Sequence, residues 1–222
     1  MRKFQDIYEL AVIHKGGVDA LEALLPRAAT ADTLRSLSDD VYLSTMSRRI
    51  FRAGLKHSLV DAKWDYFEKV FHGFDPFFCA MLSDEDIENL MTDKGLIRHL
   101  GKIKSIRLNG QFVRSVAQDY GSFADYLVQF SHAELIDLWN QLKKRGHHLG
   151  GSSGAQFLRM VGKDTFLLTN DVVAVMKLEG VIEKHPTSQR DIQAVHAAFM
   201  QWHQQSNRDL CEISRIVSCV AL

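Results

Sequence analysis

Lys143-Lys-Arg-Gly-His-His-Leu-Gly-Gly-Ser-Ser-Gly-Ala155 is the stretch from which the fold can be read. Ahead of it, Leu135, Leu138, Trp139 and Leu142 recur at helical spacing and make one apolar face. Behind it, Gln156-Phe-Leu-Arg-Met160 resumes a helical pattern. A helix, a tight glycine turn and a second helix leave backbone N–H groups pointing outward at the second helix's N-terminus. Glycine suits such a turn because it accepts positive φ and lets a ligand approach the backbone. With Lys143, Lys144 and Arg145 alongside, phosphate is the natural anion. The competing reading is a plain helix connection with a solvated basic face.

Outward from this turn, the charges are segregated. The 222-residue chain has 27 Lys plus Arg and 27 Asp plus Glu, a net charge of zero. A zero total argues against a nucleic-acid partner, which usually meets a basic excess. The distribution reverses that argument. Trp139 to Lys163 holds five Lys or Arg and no acid, and Lys94 to Arg114 holds six and no acid. Asp61 to Asp93 holds nine acids against Lys63 and Lys69. The second basic stretch contains its own glycine turn, Lys94-Gly-Leu-Ile-Arg-His-Leu-Gly-Lys-Ile103.

Helix-start signals recur elsewhere. Ser83-Asp-Glu-Asp86, Ser131-His-Ala-Glu134, Ser188-Gln-Arg-Asp191 and Ser206-Asn-Arg-Asp209 all have the form of a capping box. Ile192, Val195, Phe199 and Trp202 sit near helical spacing, as do Trp64, Phe67 and Phe71, which reads as core. Thr165 to Met176 is the one β-rich, ambiguous stretch. The chain is therefore expected to be all-α, with about ten helices. No apolar run has the length of a membrane span, and no secretory leader is evident. Cys79, Cys211 and Cys219 have no metal-like spacing and read as small buried hydrophobes. A cytoplasmic protein without cofactor or metal is expected.

Arg52-Ala-Gly-Leu55, Trp64-Asp-Tyr-Phe67, Phe71-His-Gly-Phe-Asp-Pro76 and Gly95-Leu-Ile-Arg-His-Leu-Gly-Lys-Ile103 together resemble DNA-3-methyladenine glycosylase I. The likeness is dense over residues 50–110 and thinner over 139–176. It implies the helix-hairpin-helix glycosylase superfamily: two helical subdomains with a substrate cleft between them. A central subdomain over residues 38–165 would carry the hairpin at 139–160, and residues 1–37 plus 166–222 would form the second. The implied activity is base excision repair: hydrolysis of the N-glycosidic bond of a flipped-out, alkylated base in double-stranded DNA. The implied enzyme is a cytoplasmic monomer, nucleoid-associated if bacterial. The alternative is an inactive damaged-DNA or DNA-structure-binding protein of the same fold.

The resemblance carries site expectations and departures. The superfamily hairpin reads Leu-Pro-Gly-x-Gly, and Leu149-Gly-Gly151 stands in its place. Gly150, Gly151 and Ser153 would offer N–H groups to a phosphate, with Lys143, Lys144 and Arg145 adding charge. Arg98, Lys102 and Lys104 would form a second DNA-facing surface. Tyr42, Arg49, Phe51, Arg52 and His57 would line the base pocket, with Trp64 nearby. At the slot of the family's pocket glutamate stands Arg49, and at that of its pocket tryptophan stands His57. A carboxylate attracts a cationic methylated purine; a guanidinium repels it. The family's zinc-holding stretch is absent, so no metal is expected.

Counting on from Gly151 as the superfamily does reaches Asp171. Lys163-Asp-Thr-Phe-Leu-Leu168 ahead of it resembles DNA-3-methyladenine glycosylase II before its catalytic aspartate. A carboxylate there would stabilise the charge developing on the deoxyribose and orient the attacking water. Asp171 also reads as the N-cap of a helix from Val172 to Leu178, and the two roles are compatible. Asp164, after a glycine, reads as a turn residue. Strand cleavage by a Schiff base needs a lysine two positions past the second glycine, where Ser153 stands. A monofunctional enzyme is expected.

Overall fold

The computed structural model describes residues 1–221, and the described chain is all-α, with fifteen α-helices, two 3-10 turns and no strand. Part of the excess over the expected helix number consists of five-residue pieces: Val18–Glu22, Ala31–Arg35 and His57–Asp61. The ambiguous stretch divides into an irregular segment over 163–169 and the helix Asn170–Leu178. Two compact units result. One comprises residues 30–131 and 137–161; the other comprises 1–29, 132–136 and the chain from Gly162 onward. Their borders lie at 29/30 and 161/162 rather than near 38 and 165, because Ala31–Arg35 packs on Phe123–Val128.

The first of these units is built on Leu100–Tyr120, which buries Ile103, Ile106, Phe112, Val113 and Val116. Pro76–Met81 lies against it at Gly110, where a Cβ would come 3.0 Å from the Ala80 nitrogen and 3.2 Å from the Pro76 oxygen. Glycine is the residue that permits this approach. Phe-His-Gly-Phe-Asp-Pro is a turn followed by a helix start. His72, Gly73 and Phe74 take positive φ, Asp75 Oδ1 accepts from the Phe78 N–H at 2.6 Å, and Pro76 opens the helix. Trp64, Phe67 and Phe71 are core, as their spacing predicts; Trp64 stacks on Phe67 and Phe74 at 5.0 and 5.3 Å. Ser83 and Asp86 close a capping box at Asp84–Thr92.

The other unit gathers both ends of the chain. Phe4, Ile7 and Ala11 of Phe4–Lys15 are buried, as are Val195, Phe199 and Trp202 of Gln189–Ser206. Phe166 stacks on Phe199 at 4.4 Å, and the Trp202 indole donates to the Arg2 carbonyl at 3.1 Å. One sequence expectation is corrected here. Ser206 ends a helix instead of starting one, and Asp209 with Glu212 forms the capping box of Leu210–Ser218. Asp164, read as a turn residue, lies in the irregular segment after Gly162 and is a buried hydrogen-bond acceptor. It is 7% exposed and accepts from the Leu210 and Cys211 N–H groups, both at 2.8 Å, and pairs with His132 Nε2 at 2.9 Å. A charged acceptor facing a helix N-terminus satisfies two orphan donors at once. Cys79, Cys211 and Cys219 are buried.

Candidate nucleic-acid interface

The hairpin runs from Leu135–Arg145 into Ser152–Val161. Leu149, 1% exposed, anchors the turn from inside, while His148 and Gly151 take left-handed φ of 59° and 58°. A Cβ at Gly154 would come 2.7 Å from the Leu149 oxygen, so the second helix starts too close to the turn for any other residue. Asn109, fully buried, holds the turn from the long helix: its Nδ2 donates to the His147 carbonyl and its Oδ1 accepts from the His147 N–H. Sequence reading missed Asn109, since nothing local marks one asparagine within a helix as a clamp for a loop many residues away.

Several predicted phosphate donors are placed differently from expectation. The Ser153 N–H is not available, because it donates to the Gly150 carbonyl at 3.2 Å. The N–H groups of Gly151 and Ser152 meet no acceptor among the described residues. Arg145 is half-buried over the Phe112 and Tyr126 rings, at 5.3 and 5.9 Å, and pairs with Asp119 at 3.6 Å. It is a packing residue, unlike Lys143 and Lys144, which are exposed.

The second basic turn meets the first. A methyl group at Gly101 would lie 3.8 Å from Nε2 of His148, so the start of Leu100–Tyr120 borders the hairpin. His99 caps that start, its Nδ1 accepting from the Lys102 N–H at 3.3 Å. Arg98 and Lys104 are exposed. Lys102 is not: its ammonium donates to the Phe51 and Ala53 carbonyls at 3.2 and 2.6 Å. Desolvation, with Arg49 adding repulsion, holds its pKa below the ordinary lysine range. Lys102 thus straps the C-terminal end of Asp39–Arg52, where a cation is favourable.

The predicted pocket residues separate into three kinds. Tyr42 and Phe51 are fully buried core; Tyr42 donates to the Leu34 carbonyl at 2.8 Å, and burial pushes its hydroxyl up to about 12. Neither ring offers a face to a stacked base in this structure. His57 is exposed at the start of a five-residue helix. Arg52 is held by Asp61 at 2.7 Å, which also takes Arg48 at 3.0 Å. Arg49 differs from all of them: it is 6% exposed, and among the described residues its Nε has no hydrogen-bond partner and it makes no ion pair.

Asp171 is exposed in the first turn of Asn170–Leu178. It is not the cap. Thr169 is, with its hydroxyl accepting from the Val172 N–H at 3.3 Å. Among the described residues no group of three or more His, Cys, Asp or Glu side chains converges.

The family described as methyladenine glycosylase matches residues 36–188, well over half of the chain. The chain belongs to that family. The DNA-3-methyladenine glycosylase 1 of Escherichia coli K12 is 37% identical over 79 residues, 36% of this chain and 42% of that protein. The DNA-3-methyladenine glycosylase of Haemophilus influenzae Rd is 30% identical over 87 residues, 39% and 47% of the two lengths. The chain thus spans less than half the length of these curated relatives. Among solved structures, a 3-methyladenine DNA glycosylase I superposes with a TM-score of 0.50 at 25% identity, covering 57% of this chain and 80% of that one. The Staphylococcus aureus enzyme superposes at 0.51 with 23% identity, covering 57% and 77%, and that likeness shows the shared fold.

Within the methyladenine glycosylase family, the match embraces the hairpin, the second basic turn and Asp171. It also embraces the position at which this member carries Arg49.

Proposed function

We propose that this chain is a monofunctional DNA glycosylase of base excision repair, hydrolysing the N-glycosidic bond of a damaged base flipped out of double-stranded DNA. One observation carries the reading: the two acid-free basic turns lie side by side, Gly101 next to His148, on a single unit. Arg98, Lys104, Lys143 and Lys144 surround them, exposed and without ion pairs among the described residues. Two free N–H groups at the start of Ser152–Val161 complete a surface suited to consecutive phosphates. The names of the relatives, DNA-3-methyladenine glycosylases, supply the reaction class and an alkylated base as the starting substrate.

In this reading Asp171 provides the carboxylate. Thr169 already serves the helix start, so the Asp171 side chain is free to face the oxocarbenium-like deoxyribose and orient water. Ser153 in place of a hairpin lysine leaves no Schiff-base nucleophile there. A cytoplasmic site of action on chromosomal DNA follows from the same reading.

Duplex oligonucleotides carrying single methylated, deaminated or oxidised bases test it. Strand scission after alkali, and none before it, is the expected pattern. Tight binding without abasic product across the panel would replace the enzyme by a DNA-binding protein.

A further inference from the structure

Three arginines and a lysine gather around the end of the helix Asp39–Arg52, and their partners are unequal. Arg48 and Arg52 share the Asp61 carboxylate, and Lys102 faces two backbone carbonyls. Arg49, the most buried of the arginines, has neither kind of partner, and its Nε is sealed from solvent with nothing accepting from it. Burial holds its pKa below the ordinary arginine value, with Arg52 adding repulsion. Burying an unpaired charge is costly, so folded proteins rarely retain one without a compensating group. Among the described residues nothing supplies that group: four cations meet a single carboxylate, an excess of three positive charges. A guanidinium is also a planar fork of donors that accepts nothing, suited to a carbonyl oxygen and a neighbouring ring nitrogen on one base edge.

We propose that Arg49 is the specificity-determining residue of the base site, receiving a ring carbonyl or deprotonated imide of a neutral or anionic damaged base and rejecting cationic N-alkylated purines. The inference rests on the glycosylase reading for the presence of a base at this position. It narrows that reading: the substrate class shifts from positively charged alkylation products toward deaminated, oxidised or neutral alkylated bases. A ring cation placed against Arg49 would add a further like charge to the excess already there, whereas a carbonyl would give the guanidinium fork an acceptor that the fold does not provide.

Two measurements decide it. In single-turnover excision, xanthine, hypoxanthine and uracil duplexes are compared with duplexes carrying cationic 3-methyladenine or 7-methylguanine. The wild type should prefer a carbonyl base by about 100-fold in kcat/KM, and Arg49→Glu should reverse the preference by at least about 10-fold. In parallel, calorimetry follows binding of free xanthine and of a permanently cationic dialkylated adenine to the wild type and to Arg49→Gln. Xanthine should bind the wild type, the cation should not, and Arg49→Gln should abolish the difference. Preference for the cationic lesion, or a ratio unmoved by Arg49→Gln, overturns the assignment while leaving the glycosylase standing. Equal losses on every lesion, with the salt slope of DNA binding reduced by about one phosphate contact, would place Arg49 on the backbone and also overturn it. If no duplex is cut, the glycosylase reading falls, and the free-base isotherms still decide what Arg49 receives.

Discussion

Asp164 and Arg49 are both buried charges, and their surroundings make them opposites. Desolvation opposes the Asp164 carboxylate, but His132 and the Leu210 and Cys211 N–H groups outweigh it, so its pKa lies below the ordinary range. The same contact raises the pKa of His132 above its usual value, against desolvation and the nearby Lys163. A depressed carboxylate contributes stability above its unfolded pKa of about 3.9 and loses it as pH falls through the folded value. A raised imidazole contributes below about 6.5 and loses it as pH rises through the folded value. Both contributions therefore coincide at about pH 4–6.5. Asp164→Asn is expected to lower stability by about 2 kcal/mol there, by denaturant titration, and by less above the His132 pKa. A deficit that grows with alkalinity would show that His132 and Asp164 are uncoupled. Asp171, exposed and relieved of capping, should behave differently again: Asp171→Asn is expected to leave Tm and DNA binding unchanged. Its single-turnover excision should fall about 100-fold. A loss within a few fold would remove Asp171 from the chemistry.

At the scale of elements, the helix–turn–helix at 135–161 was legible because its signals are local: apolar period, basic cluster, glycines needed for positive φ. The Phe-His-Gly-Phe-Asp-Pro turn is legible in the same way. What the local pattern did not carry is how neighbouring elements use the residues. Lys102 reads as a surface cation from its basic stretch, yet the end of a helix far back in the sequence, at Phe51 and Ala53, claims its ammonium. Ser153 reads as a phosphate donor, yet its N–H closes the turn itself. Tyr42 and Phe51 read as stacking rings from their slots in a family pattern, yet both lie in the core. Asn109 had no signal at all, although it makes two hydrogen bonds that tie the turn of the hairpin to the long helix. Asn109→Ala is therefore expected to cost about 2 kcal/mol of stability, because it removes both hydrogen bonds that the buried Asn109 amide makes to the His147 backbone. DNA affinity should fall alongside, equally for damaged and undamaged duplex. A selective loss on damaged DNA would contradict a purely positional role.

For the whole molecule, neutrality is produced by pairing rather than by scarcity of charge. Acids of the 61–93 stretch neutralise arginines away from the turns: Asp61 takes Arg48 and Arg52, and Asp84 takes Arg107 at 2.9 Å. Arg98, Lys104, Lys143 and Lys144 are left outside these pairs, so the field a duplex meets is that of the turns and not of the sum. Zero net charge then limits long-range attraction while leaving short-range phosphate contacts intact, since separated charges are screened beyond about 8 Å at physiological salt. The consequence is quantitative. Four phosphate contacts release counterions with a slope of log K against log salt of about −3.6. Neutralising Lys143 and Lys144 to Gln should flatten it to about −2 and weaken all duplexes alike, whatever base they carry. Glutamine at Arg48 and Arg107, already engaged by acids, should leave the slope where it was. If those two variants flatten it as much as the hairpin lysines do, binding follows the total charge and the pairing argument fails.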